Sequence, residues 1–213
     1  MEMNKDNGKV FVSKGTFKLE GIDSINTNTL TNDFCQKMWH SKNESVICRH
    51  CYSIYRLSCI RKSCQKKYQQ NSEVLSGGVL PLEELPRLNY RWFRFNSHGE
   101  LINKTHLINL INICKVNLGT IFALWTKRKE LIKDADIPDN LILIYSNPFI
   151  NTIAERPDKF HKTFNVFNEP ANSNCGGLCR ECMACYEKDS GVDVIIEQIK
   201  YGIGQTTWED RNR

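Results

Sequence analysis

The chain has 213 residues, 29 Lys and Arg against 24 Asp and Glu for a formal net charge of +5, 40% apolar positions and 10 Cys. At about 150 residues per domain this is one domain with at most a small appendage, able to bury its own core, and its composition excludes collagen-like and disordered chains. No apolar run approaches the roughly 20 residues that cross a bilayer and the start MEMNKDNGKV lacks a secretory layout, so a cytoplasmic setting is expected, where cysteines serve metals before disulfides.

Residues 1–31 read as an extended lead-in, polar and rich in Asn and Thr, with one strand-like run at Val10-Phe11-Val12. The remainder, 32–213, reads as a single α/β metal-binding domain. Its first part, 32–76, is cysteine-rich and helical, and the stretch YSIYRLSCIRKSCQKKYQQ carries Arg56, Arg61, Lys62, Lys66 and Lys67 without Gly or Pro. Gly77-Gly78, Pro81 and Pro86 then mark a turn or linker. Residues 90–169 form the α/β core. Within it, 91–96 alternates like a strand, 120–125 reads as a second strand, and 104–117 carries Leu107, Leu110, Ile111 and Cys114 on one helical face. A short helix is expected over 127–135, and strands over 141–145 and 163–167. The continuous run LILIY suits a strand covered on both faces, as parallel strands are. Strands alternating with helices predict a partial β/α barrel or a small, mostly parallel sheet. Pro170 opens a cysteine-rich loop, 170–190, and 192–201 is a last strand or helix. Asn makes up roughly a tenth of the chain, above average usage, and reads as the compositional bias of an AT-rich genome.

The loop holds the strongest chemical signal, Cys175-Gly-Gly-Leu-Cys179-Arg-Glu-Cys182-Met-Ala-Cys185. Four thiols so close together can converge on one centre, and thiolate softness restricts that centre to iron–sulfur or zinc. A second signal is Cys48-Arg-His-Cys51-Tyr52, preceded by Cys35. Its form repeats in Cys182-Met-Ala-Cys185-Tyr186, which suggests a metal-binding face built from both ends of the domain, with one shared site or two. His50 reads as a polar bystander, Cys59 and Cys64 as non-ligands, and Cys114 as core.

Every candidate strand ends in polar residues, and in parallel α/β folds ligands bind at those carboxyl ends. Ser97, Thr126, Ser146 and Asn147 are therefore candidate cofactor contacts, His98 and Glu100 the one plausible acid–base pair, and Arg94 a neighbour at alternate spacing. No P-loop, dinucleotide fingerprint, HExxH or nucleophile elbow is present.

The order of Cys48-x2-Cys51-Tyr52, Phe93-Arg94-Phe95-Asn96-Ser97-His98-Gly99-Glu100, Leu124-Trp125-Thr126-Lys127 and CGGLCRECMACY resembles the "gene product eighty-eight" family of phages and plasmids. That resemblance implies a mobile-element setting in a host-cell cytoplasm. In the family Asn96 stands where a His is usual, and His98-Gly99-Glu100 stands near a typical S-G-D. Cys175-x3-Cys179-x2-Cys182 also resembles the cysteine motif of radical S-adenosylmethionine enzymes, which implies a 4Fe-4S cluster with one iron open to that cofactor. Here the motif follows the strands rather than the first of them, and Cys185 could fill the open position. The function expected is that of an iron–sulfur protein with a pocket at the strand ends, iron–sulfur being favoured over zinc. The alternative is a zinc-stapled nucleic-acid-binding protein whose basic stretch contacts phosphates.

Overall fold

The computed structural model describes residues 9–169 and 171–199. Seven strands lie in one sheet in sequential order: β1 (Val12–Ser13), β2 (Asp23–Ile25), β3 (Trp92–Phe95), β4 (Ile121–Thr126), β5 (Leu141–Ser146), β6 (Lys162–Phe167) and β7 (Val194–Gln198). β1 pairs antiparallel with β2, and every later pair is parallel. The sheet is open, a mostly parallel sheet within a mixed α/β fold as expected. When right-handed crossovers step repeatedly in one direction, the helices gather on one face. Here these are α3 (Lys62–Gly77), α4 (Lys104–Val116) and the single turn α5 (Lys129–Ile132). Shorter helices α1 (Asp33–Trp39) and α2 (Tyr52–Tyr55) precede α3, and α6 (Cys179–Cys182) lies between β6 and β7.

The strand alternation sorts side chains cleanly. Phe93, Phe95, Phe122, Leu124, Leu141 and Leu143 face the helices and pack with Leu75, Leu107, Leu110, Ile111 and Cys114. The periodic face read over 104–117 is thus the buried face of α4, and Phe95 stacks on Phe122 at 5.0 Å between ring centroids. From the opposite face Ala123, Trp125, Ile142, Ile144 and Ile195 project, covered by Met183 and Tyr186 of the cysteine-bearing loop. LILIY is therefore buried on both sides, as expected for a parallel strand.

Two expectations need correction, and two readings are filled in by the structure. Residues 1–31 supply two strands, and β2 is the first parallel strand of the sheet. Strands of two and three residues are too short for alternation to reveal. The helix expected over 127–135 is one turn, Lys129–Ile132, because Ile132 alone in that turn is buried and little else holds it. The element expected over 192–201 is strand β7, with 200–201 outside the described residues, as is Pro170. Finally, several of the abundant Asn residues have structural work in the fold. Asn140 donates to the carbonyls of Cys114, Asn117 and Thr120, Asn109 to those of Leu75 and Gly78, and Asn117 to those of Pro86 and Ile113. Each amide satisfies backbone groups that a loop would otherwise bury unpaired.

The loop over the second face is anchored by Lys162, which is 0% exposed. Its ammonium donates to Lys188 O, Ser190 Oγ and Val192 O, at 3.3, 2.9 and 2.9 Å. Met183, in the left-handed region at φ 50°, reverses the chain after α6 and brings its own side chain down onto the sheet.

Candidate functional site

A cavity of about 690 Å³ opens at the carboxyl ends of the parallel strands. It takes residues from the segment after β2 (Asn26, Thr29), from the extension of β3 (Asn96 to Glu100), from the ends of β4 and β5 (Trp125, Lys127, Ser146), and from both cysteine regions. The β3 extension is the most constrained of these. Asn26 Oδ1 accepts from the Ser97 hydroxyl and from the His98 backbone N–H, at 2.7 and 2.9 Å. Gly99 has φ +101°, and a Cβ there would lie 2.0 Å from Thr27 Oγ1 and 2.8 Å from its carbonyl oxygen. Only glycine lets that turn pass, and the turn sets His98 and Glu100 in place.

Glu100 is buried and held by three donors: the Thr126 hydroxyl at 2.6 Å, the Lys127 N–H at 2.9 Å and the Leu101 N–H at 2.8 Å. Burial pushes its pKa up, against the pull of Lys127 and these hydrogen bonds. Lys127 donates to Ser146 Oγ at 2.9 Å. Burial works against its ammonium, yet Cys48, Glu100, Cys51 and Cys35 around it hold its pKa above the ordinary lysine value.

Those thiols form the first cysteine group. Cys35 lies on α1, Cys48 in a single 3₁₀ turn (Ile47–His50) and Cys51 just before α2. All three line the cavity. Burial raises the Cys35 thiol far above its usual range, with Glu100, Cys51 and Cys48 adding to the effect, and burial lifts Cys48 to about 11. The second group divides. Cys175, Cys179 and Cys185 line the same cavity, while Cys182 is exposed and does not. Cys185 is raised to about 12, chiefly by burial, against the lowering effect of Arg94. None of the ten cysteines is in a disulfide. Among the described residues no three His, Cys, Asp or Glu side chains stand grouped where they could hold a metal ion, and the expected metal-binding face is not shown. What the fold does is bring both thiol groups to one cavity.

Around His98 lies a basic patch. Arg61 Nη1 is 3.4 Å from His98 Nε2, and Ser53 Oγ is 2.8 Å from His98 Nδ1. A guanidinium can only donate, so Nε2 accepts and Nδ1–H donates to Ser53. His98 is held neutral, its pKa lowered to about 3 by burial and then by Arg61, Arg56 and Arg94. Arg94 lies 3.9 Å over the Trp125 ring. His98 and Glu100 do not touch as an acid–base pair; each has its own partners.

Of the other expected contacts, Ser97 and Ser146 line the cavity, whereas Thr126 and Asn147 do not. Thr126 orients Glu100, and Asn147 braces the loop after β5 through Thr152 and Asn165. The basic stretch is split. Arg56 and Arg61 line the cavity, Lys67 lies over the Phe11 ring, and Lys62 and Lys66 are exposed. Cys114 is core, Cys59 is exposed, and Cys64 reaches the cavity wall. Sequence reasoning passed over Lys127 as a site residue, although its place at a strand's carboxyl end was a readable signal.

No described helix is long and apolar enough to cross a membrane. No curated protein and no solved structure matches the chain. The resemblance to radical S-adenosylmethionine enzymes finds no support in these comparisons. The family model described as Gene product 88 matches residues 4–174, a span that takes in Cys35, Cys48, Cys51, the β3 extension and Lys127 and ends immediately before Cys175. The chain belongs to the gene product 88 family.

Proposed function

We propose that this is an iron–sulfur protein in which Cys35, Cys48 and Cys51 ligate a 4Fe-4S cluster and the cavity admits a small molecule beside it. One observation carries the reading: the three thiols come from the segment that follows the first parallel strand and share one cavity wall with Lys127. Burial keeps the Cys35 and Cys48 thiols protonated until a metal supplies the compensating charge, and soft sulfur donors suit iron–sulfur chemistry. The segment between α1 and α2 has no helix longer than a single 3₁₀ turn, which leaves its backbone free to draw the sulfurs together.

Three thiolates on four irons leave one iron for a ligand, the arrangement of radical S-adenosylmethionine enzymes, and such a cluster supplies an electron to what it binds. The position those enzymes use, after the first strand, falls here to Cys35, Cys48 and Cys51 rather than to the later motif. The residues around them have definable work. Lys127 keeps an ammonium facing the thiols, offsetting cluster charge. Glu100, locked by three donors, ties the turn after β3 to the end of β4. Cys175, Cys179, Cys182 and Cys185 are a second candidate set, closed by four thiolates if Cys182 turns inward. The zinc-stapled nucleic-acid alternative draws less support, because Arg56 and Arg61 line the cavity instead of facing outward with Lys62 and Lys66.

Protein purified without oxygen should be brown and carry about four iron and four sulfide per cluster. Cys48→Ser should remove the cluster whose electron-spin signal responds to added S-adenosylmethionine, while Cys182→Ser should leave that signal intact. Colourless protein with stoichiometric zinc would overturn the proposal.

A further inference from the structure

We infer that the cavity binds a phosphorylated small molecule through the guanidinium groups of Arg56 and Arg61, with Asn96 and His98 as neutral contacts. This takes from the preceding section only that the cavity is a ligand site, not that it holds iron.

The first observation is uncompensated charge. Arg56, Arg61 and Arg94 all line the cavity, and among the described residues none of them pairs with a carboxylate. The carboxylates on the same wall are committed elsewhere, Glu100 to Thr126 and Lys127, and Glu197 to Lys18. Arg94 is closely stacked, its guanidinium 3.9 Å over the Trp125 ring. Arg56 lies over the Tyr52 ring, and Arg61 rests against the acceptor nitrogen of a neutral His98 at the long distance of 3.4 Å.

The second observation is how the chain aims them. Arg56–Ile60 is a π turn, and the Arg61 N–H donates to the Arg56 carbonyl at 2.6 Å. In an α-helix residues five apart point roughly 140° away from each other, whereas a π turn sets them nearly one above the other. The widened turn thus places both guanidiniums on the cavity side. Only Leu57 within the turn is buried.

The third observation is an unmet donor. Asn96 is 6% exposed, lines the cavity, and its Nδ2 has no hydrogen-bond partner. It sits at φ +56°, in the left-handed region that Asn tolerates better than most residues. An oxygen acceptor from a ligand would satisfy it. Two planar five-donor forks and an amide N–H offer more donors than a carboxylate has oxygens, and they match a phosphoryl group.

The test uses the full chain purified anaerobically, with iron measured on every sample. Inorganic phosphate and pyrophosphate are titrated at low salt and followed by calorimetry, with chloride as the control anion. Arg56→Gln and Arg61→Gln should each weaken pyrophosphate binding at least tenfold, and Arg61→Lys, which keeps charge but loses the fork, should weaken it less. Lys62→Gln with Lys66→Gln should leave binding unchanged. Because a variant could misfold, binding to the parent is also read by NMR at the His98 ring, whose titration should move upward when pyrophosphate is present. Equal binding by the parent and Arg61→Gln, or an unmoved His98 titration, would overturn the inference. Arginine-dependent binding in protein that never takes up iron would leave this site standing and remove the iron–sulfur reading.

Discussion

On its helix side the sheet presents Phe93 and Phe95 of β3 to a dry core. On its other side the same strand presents Arg94, and its extension presents Asn96 and His98 to a cavity. Neighbouring residues of one strand thus serve opposite ends, because successive side chains leave a strand on opposite faces. The two faces also hold a histidine each. His106 is 0% exposed among apolar helix residues, and its pKa is lowered to about 3 by burial alone. His98 reaches about 3 as well, with three arginines adding to burial. The lesson is that one value hides different causes: burial leads on both sides, and only on the cavity side does positive charge add to it.

The largest expected effect belongs to the helix side. Phe95→Ala removes a ring stacked on Phe122 in a filled core and should cost about 3–5 kcal/mol in urea unfolding. A loss below about 1 kcal/mol would show that this face is not the main source of stability.

Next comes pH. Both histidines stay neutral in the folded chain down to about pH 3, whereas an unfolded histidine protonates near 6.5. The unfolded state therefore binds more protons between these values. Stability from each group is complete above about pH 6.5 and drains away as pH falls toward 3, with a slope of up to about 1.4 kcal/mol per pH unit. His106→Gln should flatten the pH dependence of the urea midpoint over this window. Pyrophosphate should shift the His98 ring titration and leave that of His106 in place, and equal movement of both would erase the distinction between the faces.

The smallest effect falls on the cavity side. Cys48→Ala in metal-free protein should change unfolding free energy by no more than about 1 kcal/mol, since the residue is only partly buried. A larger loss would mean that the thiol is part of the core rather than of a site.

Much of the scaffold was legible in advance. The four apolar positions of α4 and the doubly buried LILIY are local patterns, and each found its expected place, whereas of the strand-end candidates Ser97 and Ser146 line the cavity and Thr126 and Asn147 do not. The site was less so. Cys175, Cys179, Cys182 and Cys185 look uniform in spacing, yet one turn of helix and a left-handed Met183 leave Cys182 exposed and its companions in the cavity. Arg56 and Arg61 look like part of one basic run, yet a π turn detaches them from Lys62 and Lys66. β2 left no readable pattern at all, and without β2 there was no way to see that Cys35, Cys48 and Cys51 follow the first parallel strand.

By itself, then, the order of residues determined the α/β class, the helix-facing core and the presence of two thiol groups, because periodicity and spacing are properties of short stretches of chain. Only the tertiary structure decided that both thiol groups, three arginines and Lys127 share one cavity. That sharing depends on the sequential parallel pairing of strands far apart in the chain, and on single backbone turns that reverse a side chain's direction without changing its neighbours in sequence.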